Sequence, residues 1–121
     1  MSEKNQLDLA IETYKHGNIQ ETFPVFQKYA EQGNLTAMVY LAECYDRDCN
    51  PTPLADDEKA LYWYKKAADS GNADAQYYVG LCYLGRLGLP TDEQAAYEWI
   101  KKAAENGSKS AQREIKYLYG E

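Results

Sequence analysis

The chain has 121 residues, 45% of them apolar, which is enough for one hydrophobic core and too many for global disorder. Its formal net charge of −6 and the lack of a basic stripe argue against nucleic acid and an anionic membrane surface as partners. Residues 1–6 show no apolar region of a secretory signal, and the three cysteines form no CxxC pair. We therefore expect a cytoplasmic protein without a disulfide framework, a metal site or a bound cofactor.

The first predicted elements are two helices, over residues 6–14 and 23–33, joined by a short connection at residues 15–21. They are the most divergent copy of an internal repeat. The only histidine, His16, closes the first helix in a Lys-His-Gly-Asn turn, where a positive charge interacts favourably with the helix C-terminus. We therefore expect His16 to be structural, which leaves the chain without the base of a hydrolytic triad.

A second pair of helices is predicted in the middle of the chain. Apolar positions recur at i, i+4 and i+8 in residues 37–45 and at i, i+3, i+4 and i+7 in residues 59–72, which is the spacing of one helix face. Between these helices, residues 48–53 form a Pro-rich insertion that we expect to project from the stack. The acidic residues 56–58 precede the second helix, where negative charge favours the helix dipole, so they predict a helix start rather than a metal site.

The third pair repeats the second. Residues 75–83 resemble the first helix of the second pair, and residues 95–108 resemble its second helix, so that Trp99 lies 36 positions after Trp63. The two indoles are therefore expected at equivalent positions in successive layers. Thr91 begins a capping-box pattern at the start of the second helix of this pair.

The last segment, residues 111–119, is a looser copy of a first helix. Lys116 stands where the second and third copies carry Ala42 and Gly80, as expected of a terminal capping helix with nothing packed on its outer face. We therefore predict a single repeat domain over residues 1–121. Its repeats span approximately 5–36, 37–74 and 75–110, followed by a capping helix at 110–119.

The third copy of the repeat, formed by the third helix pair, carries small residues, aromatic residues and a Lys-Ala-Ala segment at regular positions and ends at a glycine. Its members are Ala75, Val79, Gly80, Tyr83, Gly88, Leu89, Asp92, Ala96, Trp99, Lys102, Ala103, Ala104 and Gly107. This pattern resembles the Sel-one-like repeat, a relative of the tetratricopeptide repeat, most strongly over residues 37–107. For the first pair, whose connection is short, a tetratricopeptide repeat is the close competitor.

The resemblance implies a fold and a function. The expected fold is all-α, a short right-handed α/α superhelix, or solenoid, of about three helix pairs plus a C-terminal capping helix. The implied function is non-enzymatic: an adaptor or scaffold that binds a protein or peptide partner on its concave face, as a monomer or weak dimer. The alternative is a bacterial immunity protein that neutralises a toxin by direct binding, since compact acidic inhibitors are steered onto basic active sites.

In tetratricopeptide-like families the first helix of each pair lines the inner groove, and this resemblance indicates the candidate contacts. They are Val39, Tyr40, Glu43, Asp46, Asp74, Tyr77, Tyr78, Leu81, Arg113 and Glu114. Exposed tyrosine and leucine with a charged rim resemble the anchor-and-rim chemistry of interaction hot spots, and the expected rim consists of Glu43, Asp46, Asp74 and Arg113. The alternative for Tyr78 and Leu81 is that they pack against neighbouring helices.

No catalytic constellation appears in the sequence. Cys44 and Cys82 share one repeat position, which predicts packing, and Cys49 has no basic neighbour beyond Arg47 to lower its pKa.

Overall fold

The computed structural model describes residues 5–86 and 90–120, which form seven α-helices and no strand. The helices are α1 Gln6–Lys15, α2 Ile19–Glu31, α3 Leu35–Tyr45, α4 Asp57–Asp69, α5 Ala73–Tyr83, α6 Glu93–Glu105 and α7 Lys109–Tyr119. Each helix packs mainly against its neighbours in the chain, and α7 also touches α5. The predicted all-α solenoid of three helix pairs with a capping helix is therefore confirmed. Within the described ranges, no helix has the length and apolar character needed to cross a bilayer.

Side chains define where the helices begin. An asparagine, aspartate or serine precedes every helix and accepts a hydrogen bond from a backbone amide in the first turn, which satisfies a donor that the helix itself leaves free. At α6 this cap is Asp92, whose carboxylate accepts from the amide of Ala95 at 3.0 Å. The capping-box pattern that begins at Thr91 was therefore one residue out of register.

Equivalent residues of the three pairs build the core. Phe26, Tyr64 and Ile100 stand at the same position of α2, α4 and α6, and all three are fully buried. Trp63 and Trp99 are half-buried at equivalent positions, and each indole carries a lysine ammonium over its ring, at 5.3 and 5.4 Å from the centroid. The two indoles thus occupy matching environments in successive layers.

Close helix packing in the last pair depends on one glycine. A Cβ atom built on Gly80 of α5 would lie 2.5 Å from Cγ1 of Ile100 and 3.2 Å from the carbonyl oxygen of Ala96 in α6. The equivalent position in α7 is Lys116, which is exposed. No second helix packs on that side of α7 within the described chain, as expected of a capping helix.

The insertion between α3 and α4 folds back onto the stack. The side-chain amide of Asn50 donates to the backbone carbonyl of Glu43 at 2.8 Å and to the Tyr14 hydroxyl at 3.0 Å. Pro51 and Pro53 are exposed, so the predicted projection holds only for the tip of the insertion. The hydrogen bonds of Asn50 explain the difference, because they attach the segment to α1 and α3.

Candidate partner-binding groove

The first helices of the repeats, α1, α3, α5 and α7, meet side by side. The ring of Tyr14 in α1 contacts that of Tyr40 in α3 edge to face, with the centroids 5.3 Å apart. The hydroxyl of Tyr77 in α5 donates to Glu114 Oε1 in α7 at 3.1 Å. Two cavities along this row of helices form what we call the inner groove: one section between α3 and α5, the other between α5 and α7.

The α3–α5 section has a volume of about 260 Å³. It is lined by Thr36, Val39, Tyr40, Glu43, Asn72, Asp74 and Tyr78. Five of these residues were predicted from the sequence. Asp74 is exposed in the first turn of α5, where the helix dipole favours its negative charge.

The α5–α7 section has a volume of about 280 Å³ and is lined by Tyr77, Ser110, Arg113, Glu114 and Tyr117. Three of these were predicted contacts. Burial, together with the nearby carboxylate of Glu114, raises the pKa of the Tyr77 hydroxyl to about 12, so this phenol stays protonated as a donor. Tyr117 is 90% exposed and Arg113 is also exposed, so both side chains are available to a partner.

The repeat alignment contained a signal for residues that the prediction missed. Thr36 and Ser110 stand at the same repeat position as Asp74, two residues after the helix cap, and all three line the groove. Extending the prediction for Asp74 to its equivalents would have found them. Asn72 also lines the groove, but its side-chain oxygen caps α5 by accepting from the amide of Ala75 at 2.8 Å.

The prediction that Asp46 lies on the groove rim is wrong, because this residue is fully buried. Helix α3 ends at Tyr45, and the extended backbone of Asp46 turns its carboxylate inward. There Oδ2 accepts hydrogen bonds from the Tyr64 hydroxyl and from Nη2 of Arg86, both at 2.9 Å. Asp46 is therefore a structural link between the second and third repeats.

Leu81 and Tyr78 were expected either to line the groove or to pack against neighbouring helices, and the structure places them differently. Leu81 is half-buried and lines neither section of the groove. The ring of Tyr78 packs on that of Tyr64, with 4.9 Å between the centroids, and the Arg86 guanidinium lies 5.5 Å from the Tyr78 ring centroid. Tyr78 thus packs against neighbouring elements and also lines the α3–α5 section.

Glu43 is a half-buried carboxylate held in place by the first repeat. Its Oε1 accepts a hydrogen bond from the Tyr14 hydroxyl at 2.8 Å. Burial raises the pKa of Glu43, and the nearby charge of Asp46 adds to this, although the bond from Tyr14 and the charge of Arg86 act in the opposite direction. A positively charged ligand near Glu43 would therefore favour its ionised form.

The cysteines show no sign of activation for nucleophilic attack. Cys44 and Cys82 occupy equivalent buried positions, and burial raises the pKa of each thiol to about 12. Cys49 is exposed, yet burial of its sulfur and the charge of Asp46 raise its pKa to about 11. The expectation that Arg47 is its only basic neighbour is wrong, because Arg86 Nη2 lies 3.4 Å from the Cys49 sulfur, and the charge of Arg86 acts against the rise. These shifts disfavour the reactive thiolate. In the described part of the chain, no cluster of three or more His, Cys, Asp or Glu side chains is arranged to hold a metal ion.

Comparison with known proteins gives consistent matches over most of the chain. The Sel1 repeat family model matches residues 35–72 and 73–108, more than half of the chain. The Sel1-repeat-containing protein YjcO of Escherichia coli K12 is 38% identical over 69 residues, which is 57% of this chain and 28% of that protein. The chain therefore spans little more than a quarter of the length of this curated relative.

Solved structures share the fold as well. A protective antigen of uropathogenic Escherichia coli with an SLR fold matches 94% of this chain and 25% of its own, with a TM-score of 0.84 and 32% identity. A Sel1 repeat protein of Oxalobacter formigenes covers 96% of this chain and 45% of its own, with a TM-score of 0.78 and 29% identity. The cysteine rich protein B of Helicobacter pylori covers 85% of this chain and 76% of its own, with a TM-score of 0.69 and 25% identity.

Proposed function

Because the chain belongs to the Sel1 repeat family, we propose that it is a non-enzymatic adaptor that binds a protein or peptide partner along the inner groove. Sel1-type repeats are typically protein–protein interaction modules. The observation that carries the proposal is the row of first helices, which presents tyrosines beside charged side chains in two adjoining cavities. This combination of aromatic anchors and a charged rim is typical of interfaces.

The two sections differ in charge, which gives the groove a direction. The α3–α5 section carries the carboxylates of Glu43 and Asp74, whereas the α5–α7 section carries the guanidinium of Arg113. Glu114, in the same section, is engaged by Tyr77. A partner segment with a basic residue at one end and an acidic residue at the other would match both sections in only one orientation.

Charge reversal at exposed positions tests the proposal without disturbing the core. The variants are Asp74→Arg and Arg113→Glu in the groove, with Lys65→Glu on the exposed side of α4 as a control for changed charge. Partners captured from the source organism by the unaltered protein should be retained by the control and lost by both groove variants. Equal capture by all four proteins would refute the groove as the binding surface.

The inhibitor alternative predicts a different affinity on the same surface. An immunity protein that blocks a basic active site is expected to bind at about nanomolar Kd or tighter, whereas a short groove that takes a peptide binds at about micromolar Kd. Calorimetry on the captured partner distinguishes the two functions. The formal charge of −6 favours a basic partner in both cases.

A further inference from the structure

We propose that the α3–α5 section of the groove binds an arginine side chain of the partner, with the carboxylates of Glu43 and Asp74 as its counter-charges. This inference rests on the proposed function and specifies the chemistry of one part of the same surface. It follows from the hydrogen-bonding capacity of the section, from the pairing of the nearest positive charge, and from the fixed tyrosine rings.

The section offers more acceptors than the protein itself uses. The Asp74 carboxylate and the hydroxyls of Thr36, Tyr40 and Tyr78 form no hydrogen bond or ion pair with any side chain in residues 5–86 and 90–120, and Glu43 uses only Oε1, for Tyr14. A guanidinium carries five N–H donors and no acceptor. A surface with two carboxylates and three hydroxyls is complementary to that donor set.

The cation nearest to this section is already paired. Arg86 lies beside Tyr78, but its Nη2 is 2.9 Å from Asp46 Oδ2 and its Nε is 3.4 Å from Asp48 Oδ2. Two carboxylates therefore offset the charge of Arg86. The negative charges of Glu43 and Asp74 stay available to a ligand.

The aromatic residues of the section are held in fixed positions. The ring of Tyr40 stacks on Phe26, with 5.1 Å between the centroids and an interplanar angle of 14°. The ring of Tyr78 is packed on Tyr64. Because these rings are already ordered, binding loses little side-chain entropy.

Arginine fits better than lysine. The guanidinium is planar, weakly hydrated and able to bond several acceptors at once while it packs on aromatic rings, whereas an ammonium is a compact and strongly hydrated charge with three donors. The fold already contains such an arrangement, since the Arg86 guanidinium lies over the Tyr78 ring and bonds a carboxylate. The neighbouring α5–α7 section carries Arg113 and would repel a second cation.

The test uses the pentapeptide acetyl-Gly-Gly-Arg-Gly-Gly-amide and its citrulline counterpart, which has the same shape without the charge. Binding is followed by NMR on the full chain. The arginine peptide should shift the amide resonances of residues 36–43 and 74–78, and the citrulline peptide should not. Equal shifts with both peptides, or shifts confined to other surfaces, would overturn the proposal.

Matched variants assign the effect to the two carboxylates. We expect Asp74→Asn to weaken binding about two- to fivefold, as for an exposed ion pair, and Glu43→Gln to weaken it about tenfold, since Glu43 is half-buried. Asp69→Asn removes the same charge from the exposed end of α4 and should leave binding unchanged. A loss with Asp69→Asn as large as that with Asp74→Asn would show general charge attraction and contradict the site.

The outcomes also separate this inference from the proposed function. If the cellular partner is captured through the groove, so that Arg113→Glu loses it, but neither peptide binds, only the arginine site is wrong. If neither charge-reversal variant of the groove affects capture, the proposed function itself fails.

Discussion

Removal of the buried Asp46 carboxylate should destabilise the fold strongly. The carboxylate accepts hydrogen bonds from the Tyr64 hydroxyl, from Arg86 Nη2 and from the backbone amide of Asp48, each at 2.9 Å, and from the Cys49 thiol at 3.6 Å. In Asp46→Ala these donors lose a fully buried acceptor, and the partly buried guanidinium of Arg86 loses the nearer of its two counter-ions. Breaking such a pair from one side costs about 3–5 kcal/mol, a large part of the roughly 5–15 kcal/mol that holds a typical domain folded.

Two companion variants make the expected loss specific. Tyr64→Phe removes one donor and leaves the other bonds to Asp46 intact. We therefore expect it to lower the free energy of unfolding by about 1.5–3 kcal/mol, as for the loss of a hydrogen bond to a charged group. Asp48→Ala removes a carboxylate that is 55% exposed and lies 3.4 Å from Arg86 Nε. Because this ion pair is largely exposed, we expect its loss to lower the free energy of unfolding by about 1 kcal/mol or less. Urea unfolding followed by circular dichroism gives all three free energies. A loss for Asp46→Ala no larger than that for Asp48→Ala would refute the reasoning.

Three further predictions concern packing and protonation. Gly80→Ala should cost about 1–3 kcal/mol of unfolding free energy, because its methyl group meets Ile100 Cγ1 at 2.5 Å, and combining it with Ile100→Ala should cost less than the sum of the single changes. A thiol reagent at pH 8 should modify Cys49 slowly in the native protein and the other two cysteines only after unfolding, as mass spectrometry of quenched samples would show; rapid modification of all three would contradict the burial. The pKa of Glu43 is raised in the folded state, so the folded protein loses stability as pH rises and this carboxylate ionises. Glu43→Gln should therefore have a larger free energy of unfolding than the unaltered protein at pH 7, and this difference should disappear in acid. Urea titrations at both pH values measure it.

The helices and their order followed from the sequence because local signals determine them. Apolar spacing, capping side chains and the glycines after α2, α4 and α6 all act within a few residues. Those glycines adopt φ of 95° to 103°, a region that other residues rarely enter. Repetition added independent evidence, since Trp63 and Trp99 were assigned together and occupy matching environments. Of the ten candidate contacts that the same alignment indicated, eight line the two cavities, and their role in partner binding stays a prediction.

The burial of Asp46 could not be predicted in this way. Its equivalents after α5 and α7 are Leu84 and Gly120, so the repeat pattern carries no information about a carboxylate there. Its partner Arg86 lies 40 residues later, in a connection whose sequence suggested only a link between helices. Pairings of this kind depend on how the layers stack, which apolar spacing does not specify.

The same pairing links the stability of the stack to the charge of the groove. If Asp46 were exposed on the rim, as its place in the sequence suggested, Arg86 would lose a counter-charge that it now has at 2.9 Å and would stand beside Tyr78 as a less compensated cation. The positive field of that guanidinium would offset the carboxylates of Glu43 and Asp74, and the α3–α5 section would be much less favourable for a basic ligand. In the proposed arginine site, Asp46 would therefore act indirectly and not as a partner contact, because it holds Arg86 in place and offsets part of its charge from within the core.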